Sequence, residues 1–271
     1  MHTAARAVAG GGGVKVQEWA LILGASSGFG AACAIELARD GFDICGVHLD
    51  RRATLANAQQ IQQQIEALGR QALFFNRNAA DAETRKQVLD ALQQRAGEGT
   101  VRVLIHSLAF GTLADYVGEK QVSDSQMTMT LEVMAHSLVW WVQDLVARGL
   151  MKKGGRIFAM TSAGGTRVWP SYGPVSAAKA ALESHIRQLA LELAPHGITA
   201  NAIRAGVADT PALRKIPGHE QMIAIATQRN PHKRLTTPQD VAKAIVLLSR
   251  PESAWITGNV IGCDGAEDIV G

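Results

Sequence analysis

Three cysteines, Cys33, Cys45 and Cys263, are all that the 271-residue chain contains, and they show neither paired spacing nor a metal-ligand motif. A disulfide scaffold and a structural zinc site are therefore excluded, and reduced thiols in a cytoplasmic protein are the expectation. No apolar run approaches the roughly 20 residues that cross a bilayer. The N-terminus lacks the apolar stretch of a secretory signal, and residues 1–16, which include the glycines at 10–13, read as a flexible tail. Charge of one sign is not massed anywhere: 27 Lys and Arg face 24 Asp and Glu, a net of +3. A dedicated nucleic-acid protein concentrates its basic residues, so neither nucleic acid nor membrane is an expected partner. Aromatics are sparse at 5%, and tyrosine occurs only at Tyr116 and Tyr172.

Hydrophobic residues make up 47% of the chain and charged residues 19%, the balance of a globular protein. Short apolar runs at 19–23, 44–49, 72–75, 101–106, 156–161, 198–203 and 259–263 alternate with helical patterns at 31–39, 54–68, 82–96, 125–150, 176–194 and 238–248. Uniformly apolar strands alternating with helices predict a parallel sheet covered on both faces, a doubly wound α/β Rossmann fold. No repeat or linker divides it, so residues 17–271 read as a single domain. The least regular stretch, 205–231, is a candidate substrate loop.

The first strand leads into Gly24-Ala25-Ser26-Ser27-Gly28-Phe29-Gly30. Glycines there allow a tight turn and close backbone approach to a pyrophosphate, and the following helix offers free N–H groups. Gly24, Ser26, Ser27, Phe29 and Gly30 are thus candidate cofactor contacts. The second strand ends in His48-Leu49-Asp50-Arg51-Arg52. Arg51 suits the 2′-phosphate of NADP, and Asp50 suits a ribose hydroxyl of NAD or an arginine partner. NADP(H) is the preferred expectation, with NAD(H) open. Asn78 and Ala79, after the third strand, would flank the adenine.

Tyr172 precedes Lys179 by seven residues, close to two helical turns, which lets both face one cleft. A phenol with an ordinary pKa of about 10 is a poor acid at neutral pH. A neighbouring ammonium lowers that value and equips the hydroxyl to meet an oxyanion formed by hydride addition.

With these residues in view, positions 18–268 resemble the short-chain dehydrogenase/reductase superfamily, through the glycine turn, Asn201-Ala202-Ile203 and the closing Ile256-Thr257-Gly258-Asn259-Val260-Ile261-Gly262-Cys263-Asp264-Gly265. The commonest tyrosine slot, four residues before Lys179, holds Val175. The longer spacing resembles the enoyl-acyl-carrier-protein reductases, as do His106-Ser107-Leu108-Ala109-Phe110-Gly111 and Asp209-Thr210-Pro211-Ala212-Leu213-Arg214-Lys215-Ile216-Pro217, the latter like the NADPH-dependent Bacillus type. The resemblance implies cofactor contacts at Ser107, Leu108, Ala109, Lys179, Gly206, Val207 and Thr210. It implies catalytic roles for Tyr172 and Lys179. Ser162, seventeen residues before Lys179, occupies the serine position of ordinary members. It either binds substrate oxygen or satisfies backbone at a strand end. Leu23, Ala205 and Ala266 depart from the family pattern.

The implied activity is reduction of the C=C bond of a trans-2-enoyl thioester, carried on acyl carrier protein or CoA, in fatty acid synthesis. The alternatives are a carbonyl reductase or alcohol dehydrogenase on the same fold and, from another class, a cofactor-binding sensor without catalysis. Arg214, Lys215, Arg229, Lys233 and Arg234 suggest docking of an acidic carrier or a solvated surface. The family implies a homo-oligomer, a tetramer or dimer. Trp140 and Trp141 read as core or oligomer contacts. His106 reads as structural, and no G-x-S-x-G elbow supports a hydrolase.

Overall fold

The computed structural model describes residues 17–97 and 100–270; the N-terminal 1–16 segment lies outside these. Seven strands form one parallel sheet in the order β3-β2-β1-β4-β5-β6-β7. They are β1 (Trp19–Leu23), β2 (Asp43–His48), β3 (Ala72–Asn76), β4 (Val101–His106), β5 (Arg156–Ser162), β6 (Thr199–Ala205) and β7 (Val260–Cys263). Every residue of β1 and β2 is buried, which explains the unbroken apolar sequence of β1 and the apolar middle of β2: a sheet covered on both faces leaves no polar side.

The helices are α1 (Gly28–Arg39), α2 (Leu55–Ala67), α3 (Ala82–Ala96), α4 (Asp124–Leu131), α5 (Ser137–Ala147), α6 (Gly173–Leu193), α7 (His219–Arg229) and α8 (Pro238–Leu248). One core, built on Leu21, Leu104, Trp141 and Ile186, fills the side of α3, α5 and α6. A second, built on Ile22, Leu37, Phe158 and Ile245, fills the side of α1 and α8. The strand order reverses between β1 and β4. In open parallel sheets the crevice outside the strand C-termini at that reversal is where ligands bind.

The structure differs from the sequence reading in two elements. The pattern at 125–150 is not one helix: a π-helical turn, Glu132–His136, joins α4 to α5. Such a single-turn bulge inside a helical run is rare and has no sequence signature of its own. The 205–231 stretch is not a continuous loop, since it holds a 3-10 turn at Leu213–Lys215 and then α7. Helix α7 buries only Ala226, so it has no apolar stripe to announce it.

Candidate active site

The glycine turn fits a dinucleotide phosphate in its backbone. Gly24 has φ +93°, and a Cβ there would lie 2.4 Å from the Ser107 carbonyl oxygen. A Cβ on Gly30 would lie 2.0 Å from the Gly24 carbonyl oxygen. Any side chain at either position would force apart the turn, the first turn of α1 and the end of β4. Ser27 caps α1 without a side-chain bond, leaving the helix N–H groups to an incoming anion. Ser26 flanks it, and Phe29 packs on the α1-side core. Thr210, buried at the start of the substrate loop, stands 3.7 Å from where a Cβ of Gly28 would be, so this loop closes over the turn.

At the end of β2, His48 Nδ1 lies 2.8 Å from Asp50 Oδ2. Burial opposes ionisation of Asp50, but hydrogen bonds from Thr54, Ser26 and His48 outweigh it and hold the carboxyl below its ordinary value. Asp50 is thus turned in toward the glycine turn rather than paired with an arginine. Arg51 and Arg52 are exposed and make no ion pair among the described residues.

Ala79 keeps its side chain in the core, so its N–H is the group it can turn toward an adenine. It is 5% exposed, and its carbonyl accepts from Trp141 Nε1 at 2.8 Å; Asn78 alone stays exposed. Trp141 is therefore core, while Trp140 is part-exposed and donates to Glu132 at 3.0 Å. Ser107 and Leu108 are half-buried and Ala109 is exposed at the mouth of β4. Gly206 opens the loop after β6, and the next N–H, of Val207, is already engaged by the Glu267 carboxylate at 3.3 Å. Burial, the larger effect, raises the Glu267 carboxyl against that bond.

Tyr172 is the N-cap residue of α6, with Pro174 in the first turn. Its lead-in is held by two contacts invisible in the sequence. Ser171 sits at φ +59°, strained for a residue with a side chain, and donates to Asp115 Oδ1 at 2.8 Å. Gly173 lies under the ring of Tyr116, where a Cβ would come within 2.7 Å of Cζ. Both tyrosines of the chain thus meet at the head of α6. Val175 is buried with Val133, Met134 and Ala178, and the Tyr172 ring packs on that cluster.

Lys179 is 6% exposed and donates from Nζ to the Met160 carbonyl at 2.6 Å. Burial lowers its pKa to about 8, against the charge of Glu183. The Tyr172 phenol moves the other way: burial raises it, opposed only by Ser162. The ammonium therefore does not lower the phenol as the sequence reading expected. Ser162 Oγ is buried and makes no regular hydrogen bond among the described residues. It satisfies no backbone group, and its neighbour is the Tyr172 hydroxyl, whose pKa it lowers.

Behind the site, Ser137 donates to the Val133 carbonyl at 2.9 Å and lies 2.9 Å from His106 Nε2. Ser137 must then accept from His106, which fixes the Nε2–H tautomer. Burial first, then the Lys179 charge, lower the His106 pKa to about 3, so His106 is a neutral structural group. His136 and His185 contact each other at 2.9 Å.

The basic residues near the substrate loop are mostly taken. Arg214 pairs with Asp209 at 2.7 Å and Arg234 with Asp240 at 2.6 Å. Arg229 bonds the carbonyls of Asp268 and Val270, and Lys233 that of Gln228. Lys215 has no partner among the described residues.

A family model described as enoyl-(acyl carrier protein) reductase matches residues 24–265. The 1-cyclohexenylcarbonyl-CoA reductase of Streptomyces collinus is 30% identical over 94% of this chain and 88% of its own length. Among solved structures, the enoyl-[acyl-carrier-protein] reductase (NADH) of Aquifex aeolicus superposes with a TM-score of 0.81 at 25% identity, covering 94% of this chain and 98% of that one. A short-chain dehydrogenase of Burkholderia cenocepacia in complex with NADP also gives 0.81, at 27% identity over 94% and 100%. With a match across nearly the whole described fold, the chain belongs to the enoyl-(acyl carrier protein) reductase family of the short-chain dehydrogenases/reductases, and is a nicotinamide-dependent oxidoreductase.

Proposed function

We propose that the protein reduces the C=C bond of a trans-2-enoyl thioester, with Tyr172, Lys179 and Ser162 at the reaction centre. The observation that carries this is the placement of Tyr172 at the head of α6, seven residues before Lys179, with Val175 buried in the usual tyrosine slot. The name of the Streptomyces collinus relative, a reductase of an unsaturated acyl-CoA, supports the same substrate class.

When bound, the nicotinamide supplies hydride for the β-carbon. Negative charge then develops on the thioester oxygen. A phenol held above its ordinary pKa keeps its proton at neutral pH, so Tyr172 acts as a hydrogen-bond donor to that oxygen. Ser162 Oγ offers a second donor beside it. The Lys179 ammonium adds positive charge at the cleft, and in this reading it would hold the cofactor ribose. The α-carbon takes its proton from solvent. This division of labour suits C=C reduction, in which the phenol stabilises charge without having to give its proton away.

NADP(H) is the preferred cofactor in this reading. Asp50 is directed onto His48, Ser26 and Thr54, which leaves Arg51 exposed for a 2′-phosphate. An acyl-CoA substrate is favoured over a carrier protein, because four of the five basic residues around the substrate loop already have partners. The protein works in the cytoplasm as a homo-oligomer.

Carbonyl reduction is the second reading, favoured by the unpartnered Ser162 Oγ next to Tyr172. Purified protein is assayed with crotonyl-CoA, longer enoyl thioesters and 3-oxoacyl thioesters, following NADPH absorbance. Turnover of the enoyl substrates is expected. Turnover of 3-oxoacyl thioesters alone would overturn the reading.

A further inference from the structure

The end of β5 and the turn after it meet α6 in a regular sequence of contacts. The Met160 carbonyl takes Lys179 Nζ at 2.6 Å. Thr161 Oγ1 donates to Glu183 Oε1 at 2.6 Å. Ser162 neighbours Tyr172. A Cβ on Gly165 would come within 3.0 Å of Glu183 Oε1 and 3.6 Å of Lys179 Cβ. Glu183 is thus drawn against the β5 end by Thr161, and the bare backbone at Gly165 makes room for it. It lies four residues after Lys179, on the same face of the helix one turn on.

We infer that Glu183 is a positioning residue for the reaction: anchored by Thr161 and seated against Gly165, it supplies the negative charge that keeps the buried Lys179 an ammonium. The inference rests on the reading of Tyr172 and Lys179 as the reaction centre. A buried ammonium loses its proton easily unless an opposite charge lies close. Among the groups acting on Lys179, burial lowers its pKa to about 8 and Glu183 is the one that raises it. The other titratable groups nearby do not substitute for it. His106 at the end of β4 is held neutral, with a pKa of about 3. His185, which contacts His136 of the π turn, has its pKa lowered by burial and by that neighbour, and as an imidazole it can supply no negative charge. Tyr172, at the head of the same helix, is raised by burial and stays protonated.

The sign follows directly. Removing the Glu183 charge lowers the Lys179 pKa further, so Lys179 is deprotonated at lower pH. The alkaline limb of kcat/KM, and the pH at which cofactor affinity falls, both move toward neutrality. A close opposite charge shifts a partner by about one to three units when well buried, and less where solvent screens it; about half a unit or more is expected here.

The test compares wild type with Glu183→Gln, which retains an oxygen for Thr161, and Glu183→Asp, which retains the charge. kcat/KM and the NADPH dissociation constant, read by fluorescence, are followed from neutral to alkaline pH. The expected result is a downward shift of both limbs in Glu183→Gln, with partial return in Glu183→Asp. If Glu183→Gln folds and neither limb moves, the inference is overturned. If Glu183→Gln does not fold, Thr161→Val replaces it, because it loosens the carboxylate without removing it; a limb shifted the same way supports the inference and an unmoved one overturns it. Lys179→Met separates the two levels of the argument. If it stays active, the reading of the centre itself fails. If it is inactive while the Glu183→Gln limbs stay in place, only the inference about Glu183 fails.

Discussion

Gly164 tests the geometry around Tyr172 most sharply. Its backbone is ordinary, with no positive φ, so alanine fits the main chain. Its Cβ would nonetheless stand 2.4 Å from Tyr172 Cε1 and 3.2 Å from Ser162 Oγ. Carbon atoms in contact settle at about 3.5–4.0 Å, so the ring or the turn must yield by about 1 Å. The ring has little freedom to do so harmlessly, because it also packs on Val133, Met134, Val175 and Ala178. A displacement of about 1 Å in a reacting group can lower the rate by about 10²-fold, or about 2.7 kcal/mol in barrier. Gly164→Ala should therefore reduce kcat on an enoyl thioester by about two orders of magnitude. The glycine turn at 24–30 and the Arg51 region are untouched, so NADPH affinity should stay within about twofold. Overpacking costs about 1–3 kcal/mol of stability, which thermal melting reports separately. The assay is steady-state kinetics with NADPH absorbance, paired with fluorescence binding. A folded variant with kcat within about threefold of wild type would refute the placement of Tyr172 against this turn.

Further outcomes follow from the same geometry. Tyr172→Phe should lose much of kcat and keep NADPH affinity, read in the same two assays. Arg51→Ala should raise KM for NADPH by about tenfold or more, since charge-assisted bonds contribute about 1.5–3 kcal/mol, while KM for NADH stays put; equal effects on both would remove Arg51 from the phosphate site. Ala266 sits at φ +68°, a conformation that costs a residue with a side chain about 1–2 kcal/mol. Against the entropy lost by glycine, Ala266→Gly should raise Tm by about 1–3 °C. His106 has its folded pKa depressed to about 3, below its ordinary value near 6.5. Below that ordinary value the unfolded chain takes a proton that the folded one refuses, so stability is lost as pH falls from about 6.5 toward 3. His106→Gln should flatten that acid slope of Tm.

The sheet was legible because buried parallel strands are written as apolar runs such as Trp19-Ala20-Leu21-Ile22-Leu23, bounded by turns and helical patterns. Tyr172 and Lys179 stand out in the sequence because seven residues are close to two helical turns, and the structure has Tyr172 as the N-cap of α6 and Lys179 within it. What the sequence did not disclose are contacts made by distant segments. The strained Ser171 bonded to Asp115, the Tyr116 ring over Gly173, and the Glu183–Thr161 bond join residues that no local pattern links. The burial of Ala79 was equally hidden, because it depends on Trp141, which arrives from α5. The π turn at Glu132–His136 is equally silent, since neither glycine nor proline marks it within an otherwise helical run. Gly164-Gly165 did carry a signal. Two adjacent glycines directly after β5 mark a place where the backbone must approach something, and the structure shows it to be Tyr172 and Glu183.

The central claim is that hydride reaches a carbon of a C=C bond. NADPH deuterated at C4 of the nicotinamide, turned over with crotonyl-CoA and analysed by NMR of the product, tests it directly. The account predicts butyryl-CoA carrying deuterium at the β-carbon. Crotonyl-CoA left unreduced, with deuterium found instead on the carbinol carbon of a 3-hydroxyacyl product from a 3-oxoacyl thioester, would contradict it.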